Sequence, residues 1–147
     1  MPDYYQKNAN VETIYSRSAA LKASASWLNA APEKPSIPTV LHFILPDNKT
    51  ILSATTDQEI LIGRRSRQTD PIVTIDLIKY QGHELGVSRM HLMIAIVNQV
   101  LCVQDLNSVN GSTLNDQRMI PLKWYPLHSG DVLILSNLKL RLRFSYG

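Results

Sequence analysis

From Ile37 onward, the sequence alternates between short apolar runs rich in Val, Ile and Leu and brief polar stretches carrying Pro, Gly, Asn or Asp. Apolar runs of about four to eight residues between turn-forming residues are typical of strands, and no convincing helix interrupts them. The sequence therefore predicts an all-β fold. Many short strands with regular turns favour a sandwich of two sheets.

The apolar runs define eight candidate strands. Pro46 to Lys49, Asn98-Gln99 and Ser129-Gly130-Asp131 carry the residues that tight turns require, so each is predicted to reverse the chain between two strands. In order, the candidate strands are residues 40–45, 50–53, 59–62, 72–75, 91–97, 100–104, 132–135 and 139–144.

Residues 1–36 differ in composition from the rest of the chain. They contain no Gly, are rich in Ser and Ala at 16–26, and end in the proline-containing stretch 31–36. We therefore interpret 1–36 as a tail and linker and 37–147 as one folded domain. Within the tail, an apolar pattern with helical spacing predicts a flexible or weakly helical segment. Its members are Ile14, Leu21, Ala25 and Leu28.

Composition excludes several classes of protein. A chain of 147 residues with 15 Lys and Arg against 12 Asp and Glu suits one globular domain with a mild positive charge. The single cysteine, Cys102, rules out an intramolecular disulfide, and the four histidines show no metal-ligand spacing. No apolar run reaches the length of a signal peptide or membrane span, so we expect a cytoplasmic protein with no membrane partner, metal or cofactor.

Polar clusters interrupt the apolar runs at four places. They are Gly63-Arg64, residues 88–91, residues 105–112 and the stretch 127–135. In this order and at this spacing, the clusters resemble the signature of the forkhead-associated (FHA) domain across about residues 40–144. The resemblance implies an FHA-like (SMAD/FHA) β-sandwich of two antiparallel-rich sheets, whose loops at one end bind phosphothreonine in an extended peptide.

The resemblance also implies roles for several residues of the clusters. Arg64 and Ser88 are expected to contact the phosphate, and Asn110 to hold the main chain of the peptide beside Val109. Arg89, next to Ser88, is either a second cationic contact or a solvated arginine. The chemistry agrees, because a forked guanidinium matches phosphate oxygens and an amide offers both a donor and an acceptor. Five further residues are expected to support these loops: Gly63, His91, Asp105, Ser108 and Gly111.

The sequence departs from the common FHA pattern at several positions. Val109 replaces the usual Ser or Thr before the asparagine, Ser112 replaces a threonine, and Ser136 stands where glycine is usual. The segment 65–76 is also long. No departure removes a predicted phosphate ligand.

These observations predict a non-enzymatic phosphothreonine-binding adaptor that acts downstream of a Ser/Thr kinase. Ser88, His91 and Asp105 have the residue types of a hydrolase triad, but no glycine-flanked nucleophile turn surrounds Ser88. One alternative is an FHA fold used for phosphate-independent protein interaction or self-association. Another is nucleic-acid binding by a basic patch. The patch would contain Arg64, Arg65, Arg67 and Arg89.

Thr13 is the only threonine among residues 1–36. Because some small FHA proteins carry a phosphorylatable threonine in such a tail, the resemblance suggests that phosphorylated Thr13 binds back to the site of its own chain. The other interpretations of the tail are an interaction helix over 14–28 and a segment without a specific role.

Overall fold

The computed structural model describes residues 37–147, which form two β-sheets and a short 3₁₀ helix at Ile78–Tyr80. The strands are β1 (Val40–Ile44), β2 (Ile51–Thr55), β3 (Ile60–Gly63), β4 (Ile75–Asp76), β5 (Met90–Val97), β6 (Val100–Asp105), β7 (Ser112–Leu114), β8 (Gln117–Arg118), β9 (Tyr125–Pro126), β10 (Val132–Leu135) and β11 (Leu138–Ser145).

The two sheets have mainly antiparallel pairing. One has six strands in the order β2-β1-β11-β10-β7-β8, and the other has five in the order β4-β3-β5-β6-β9. Strand β4 pairs with β3 in parallel, whereas β3 to β5, β5 to β6 and β6 to β9 are antiparallel. The predicted all-β sandwich of antiparallel-rich sheets is confirmed.

The core lies between the sheets and follows the two-residue period of a strand. Along β11, Leu138, Leu140 and Leu142 are buried, while the residues between them are exposed. Ile62 and Ile94 of the five-stranded sheet belong to the same buried cluster. Leu140 and Leu142 also lie in the apolar run over 139–144 from which the sequence predicts this strand.

The predicted turns form for local reasons. Asn98 and Gln99, between β5 and β6, have φ of 52° and 67°, as a two-residue turn of type I′ requires. In the turn after β1, the hydroxyl and N–H of Thr50, together with the N–H of Lys49, donate to Asp47 and lower the pKa of this carboxyl to about 2. Each turn fixes the register of the hairpin that it closes.

The strand prediction differs from the structure in two ways. First, of the predicted strand 72–75 only Ile75 is in a strand. Ile72 is 80% exposed, and the N–H of Leu61 donates to the side chain of Thr74 and not to a backbone carbonyl of this segment. Second, strands β7, β8 and β9 have no counterpart among the eight candidates. They span two or three residues each, too few for an alternating pattern to be recognised.

The tail and linker predicted for 1–36, including Thr13 and the apolar pattern over 14–28, lie outside the described residues. Within residues 37–147, no helix is long and apolar enough to cross a membrane. In the same range, His, Cys, Asp and Glu side chains form no group of three or more that could hold a metal ion.

Leu140 and Lys139 are neighbours on β11 with opposite exposure, and they test the position of the core. We expect Leu140→Ala to lower the free energy of unfolding by about 2–5 kcal/mol, since it leaves a cavity between the sheets. Lys139→Ala should change it by less than about 0.5 kcal/mol. Urea unfolding measures both values, and equal effects would contradict this placement of the core.

Candidate functional site

The loops that follow β3, precede β5 and join β6 to β7 meet at one end of the sandwich. They line an open cleft of about 530 Å³. All five residues predicted to contact a phosphopeptide line it: Arg64, Ser88, Arg89, Val109 and Asn110. Side chains that the sequence analysis did not select also contribute, among them Pro71, His83 and Met90.

Arg64 directly follows β3, and two hydrogen bonds hold its guanidinium in place. Its Nε donates to the carbonyl oxygen of Val87 at 2.6 Å, and Nη1 donates to the Ser66 hydroxyl at 2.7 Å. A guanidinium carries five N–H donors, so three remain for another acceptor. The contacts therefore hold the cation in place without using up its donors.

Ser88 lies in the loop before β5 and contacts the loop between β6 and β7. Its Oγ accepts the N–H of Val109 at 3.1 Å, which ties the two loops together. Because Oγ is the acceptor in this bond, the hydroxyl hydrogen stays available for donation. Val109 itself is 87% exposed at the edge of the cleft.

His91, in β5, is completely buried and joins the same two loops from below the cleft. The N–H of Ser88 donates to Nδ1 at 2.9 Å, so Nε2 carries the ring hydrogen and donates to the carbonyl of Gly111 at 3.1 Å. Burial lowers the pKa of His91, and this effect outweighs the bond to Gly111 and the nearby Asp105 carboxylate, which act in the opposite direction. The neutral ring is therefore the form that fits.

Asp105, at the end of β6, organises the loop between β6 and β7. Its buried carboxylate accepts the N–H and the hydroxyl of Ser108 at 2.9 and 2.7 Å, and the hydroxyl of Ser112. The Ser108 oxygen accepts the N–H of Gly111, whose φ of +83° is in the left-handed region that favours glycine. The loop is thus held by its own side chains.

Gly63, at the end of β3, allows two loops to approach closely. A Cβ atom there would lie 1.9 Å from the carbonyl oxygen of Arg89, a backbone atom that cannot move aside easily. The N–H of Arg64 donates to this same carbonyl at 3.2 Å. The absence of a side chain at Gly63 thus lets Arg64 and Ser88 line one cleft.

Asn110 lines the cleft with spare hydrogen-bonding capacity. Its Nδ2 donates to the carbonyl of Gly86 at 3.0 Å, which leaves Oδ1 and one N–H for another molecule. The side chain is exposed, so these groups are accessible.

Arg89 lines the cleft but is paired with an acid that the sequence analysis did not select. Its Nη1 lies 3.4 Å from Oδ1 of Asp70, whose carboxylate also accepts the N–H groups of Ser66 and Arg67. Burial opposes ionisation of Asp70, yet these N–H donors and the guanidinium lower its pKa below the ordinary value. Asp70 therefore holds the long segment after β3 in place and partly neutralises the charge of Arg89.

The four arginines of the alternative basic patch are not equivalent. Arg65 donates to the backbone carbonyls of Asp70 and Gln68 in its own segment. Arg64 and Arg89 line the cleft, whereas Arg65 and Arg67 are not among the side chains that do so. The positive charge at the cleft is thus small and localised.

The lowered pKa of His91 predicts how stability depends on pH. Between that pKa and 6.5, the unfolded chain binds a proton that the folded chain excludes, so stability is lost as pH falls below about 6.5. Urea unfolding at about pH 7.5, 6.5 and 5.5 measures this loss while carboxylates stay ionised. His91→Gln should give a shallower pH dependence. Equal slopes in His91→Gln and in the unsubstituted protein would contradict the assignment.

The comparison with family models supplies a further observation. The FHA domain model matches residues 60–136, just over half of the chain. A segment of 60 residues, 41% of the chain, is 40% identical to the FHA domain-containing protein FhaA of Mycobacterium tuberculosis. That segment covers 11% of FhaA, so the chain is similar to a small part of this relative.

Solved structures agree with this match. A domain studied for phosphothreonine-dependent FHA interactions is 29% identical, with a TM-score of 0.54, and the match covers 72% of this chain and 97% of that one. The FhaA FHA domain, solved in complex with the intracellular domain of Rv3910, is 28% identical with a TM-score of 0.53. That match covers 70% of this chain and 99% of the FhaA domain. Together with the loop geometry, the matched model shows that this chain belongs to the FHA domain family.

Proposed function

We propose that this protein is a phosphothreonine-peptide-binding adaptor acting downstream of a Ser/Thr kinase. One observation carries the proposal: Arg64 and Ser88 line the same cleft, each fixed by contacts that leave donors unused. The family supports it, since FHA domains are phosphopeptide-binding modules and the similar FhaA domain has been solved with a protein partner.

Phosphate is the ligand that suits these donors. A permanently charged guanidinium and a hydroxyl that donates form short, charge-assisted bonds to phosphate oxygens, each contributing about 1.5–3 kcal/mol. Because Arg64 and Ser88 are already ordered, binding loses little side-chain entropy at this position. Arg89 is a weaker second cation in this proposal, since Asp70 shares its charge.

Asn110 is proposed to recognise the peptide beside the phosphate. One peptide unit presents one N–H and one C=O, and the free Oδ1 and N–H of Asn110 match that pair. Val109 provides an exposed apolar surface next to it. Ordering an extended peptide offsets much of the phosphate contribution, so we expect micromolar affinity, about −8 kcal/mol.

Five supporting residues complete the proposed site: Gly63, His91, Asp105, Ser108 and Gly111. None of them needs to contact the ligand. They set the separation of the loop of Ser88 from the loop of Asn110, and that separation decides whether one ligand reaches both.

Arg64→Ala provides the direct test of the proposed site. The full chain is titrated with a degenerate phosphothreonine peptide library and with its unphosphorylated copy. We expect micromolar binding that requires the phosphate and weakens at least about 100-fold in Arg64→Ala, which removes charge-assisted bonds. Arg143→Ala is the matched control, because it removes the same charge from the exposed side of β11 and should leave the affinity unchanged.

Other outcomes would identify the alternatives. Binding that needs neither phosphate nor Arg64 would favour a phosphate-independent protein interaction or self-association. Binding of nucleic acid with steep salt dependence, weakened alike by Arg64→Ala and Arg143→Ala, would indicate a general electrostatic surface. Either result would contradict the proposal.

We further propose that phosphorylated Thr13 is an internal ligand of this cleft. The 23 residues from 14 to 36 separate Thr13 from Ile37. They span about 75 Å when extended and still about 50 Å with 14–28 helical, which in either case is more than a domain of this size requires. A tethered ligand also has an effective concentration in the millimolar range, far above a micromolar dissociation constant.

Semisynthesis can install phosphothreonine at position 13 of the full chain. We expect the affinity for an external phosphothreonine peptide to fall at least about tenfold, since the internal ligand competes for the cleft. Adding Arg64→Ala to the same protein serves as the control, because it should abolish internal and external binding together. Unchanged affinity after phosphorylation of Thr13 would exclude this regulation while leaving the external site intact.

A further inference from the structure

The five-stranded sheet has an apolar side that faces away from the sandwich core. Leu92, Ile94, Leu101 and Val103 of β5 and β6 belong to the core, so the residues between them point to the opposite side of the sheet. We call that side the outer apolar face. It consists of Met93, Ala95, Val97, Val100 and Cys102.

An apolar outer face is unusual for an antiparallel sheet, which normally alternates between buried apolar and exposed polar residues. The other sheet follows the usual rule, because the outward residues of its central strand β11 are the exposed Lys139, Arg141 and Arg143. The contrast indicates that another apolar surface packs on the outer apolar face of the five-stranded sheet.

The outer apolar face is also packed as a second core. Cys102 has an exposed fraction of 0%, and the neighbouring Trp124 has one of 8%. The remaining residues of the face, Met93, Ala95, Val97 and Val100, pack against these two side chains. Burial raises the pKa of the Cys102 thiol to about 12. This cluster is separate from the core between the sheets.

The chain enters the described region at the rim of this face. Ile37 and Pro38 line a shallow pocket together with Gln99 and Val100, at the turn that joins β5 to β6. The preceding 36 residues therefore begin their path next to the outer apolar face, at the end of β5 that is remote from the cleft.

We infer that residues 14–28 form a helix that docks on the outer apolar face. Ile14, Leu21, Ala25 and Leu28 share one side of such a helix and supply an apolar surface. That surface would cover the residues of the face that are only partly buried, which are Met93, Ala95, Val97 and Val100. A helix of this length spans about 22 Å, close to the roughly 26 Å of the eight-residue strand β5. Residues 29–36 reach up to about 27 Å when extended, enough to connect the helix to Ile37.

The tether favours this occupant over a second copy of the protein. A segment joined to the face by eight residues has an effective concentration in the millimolar range, whereas a second copy must reach that concentration in solution. Docking also explains how so short a helix would be stable, because isolated helices of this length are marginal in water. The docked helix runs from the remote end of β5 toward the cleft. This inference does not depend on phosphothreonine binding.

Cys102 is the only cysteine of the chain, so its reactivity reports on the cover of the face. The full chain is treated with Ellman's reagent in native buffer. Leu21→Glu combined with Leu28→Glu should raise the labelling rate at least about tenfold, because charges on the docking side release the helix, and the cluster of Cys102 and Trp124 beneath it then opens more often. Ser16→Glu combined with Ala23→Glu places the same charges on the opposite side of the helix and should leave the rate unchanged.

A second measurement reads proximity directly and does not depend on thiol burial. A nitroxide is attached through Gln104→Cys in a Cys102→Ala background, since Gln104 points to the same side of β6 as Cys102. We expect it to broaden the amide NMR signals of residues 14–28 at low protein concentration. A nitroxide attached through Ser53→Cys, on the exposed side of β2, should not broaden them.

The two measurements together decide the inference. Broadening from position 104 combined with faster Cys102 labelling in Leu21→Glu, Leu28→Glu supports it. Unbroadened signals of residues 14–28 overturn it, whatever the labelling rates. Broadening that appears only as the protein concentration rises, with a doubled mass in sedimentation, also overturns it and assigns the face to a second copy.

Discussion

The hydrogen bonds of the buried His91 ring determine the arrangement of the functional end of this domain. One ring nitrogen accepts from the backbone of Ser88 and the other donates to the backbone of Gly111, so a single neutral side chain sets the distance between two loops that are far apart in sequence. A protonated ring would put a donor against the Ser88 N–H. The geometry of the cleft thus depends on the protonation state of a buried group that does not itself line the cleft.

Around this bridge, most polar atoms of the loops are satisfied within the protein, and the remainder face the cleft. The Asp105 carboxylate is saturated by Ser108 and Ser112, and Asp70 is surrounded by backbone N–H groups and Arg89. An unused donor indicates a ligand only when the other polar groups of the site already have hydrogen-bond partners within the protein. In this cleft the unused donors include those of Arg64, Ser88 and Asn110, together with those of Arg89 that Asp70 does not engage, which supports the proposed recognition of a phosphorylated peptide.

The sequence predicts the sandwich because strands such as β5 and β11 are apolar runs bounded by turn-forming residues. The prediction of a strand over 72–75 was wrong at 72–74, where the side chain of Thr74 takes the place of a backbone hydrogen-bond partner. The short strand β9 was not predicted, because no local pattern marks it. The predicted cleft residues do lie together. The pairing of Arg89 with Asp70 escaped prediction because the two residues are 19 positions apart, and the anchor of Arg64 is a backbone carbonyl, which any residue type would supply.

The topology of the six-stranded sheet has a consequence for biosynthesis. Strand β11 lies in the middle of that sheet, between β1 and β10, and Val40 pairs with Ser145. On the ribosome, β1 can pair with β2 at once, but its central partner β11 emerges only about a hundred residues later. Such long-range pairing slows folding. Nascent chains of this domain should thus need protection from aggregation until β11 has emerged.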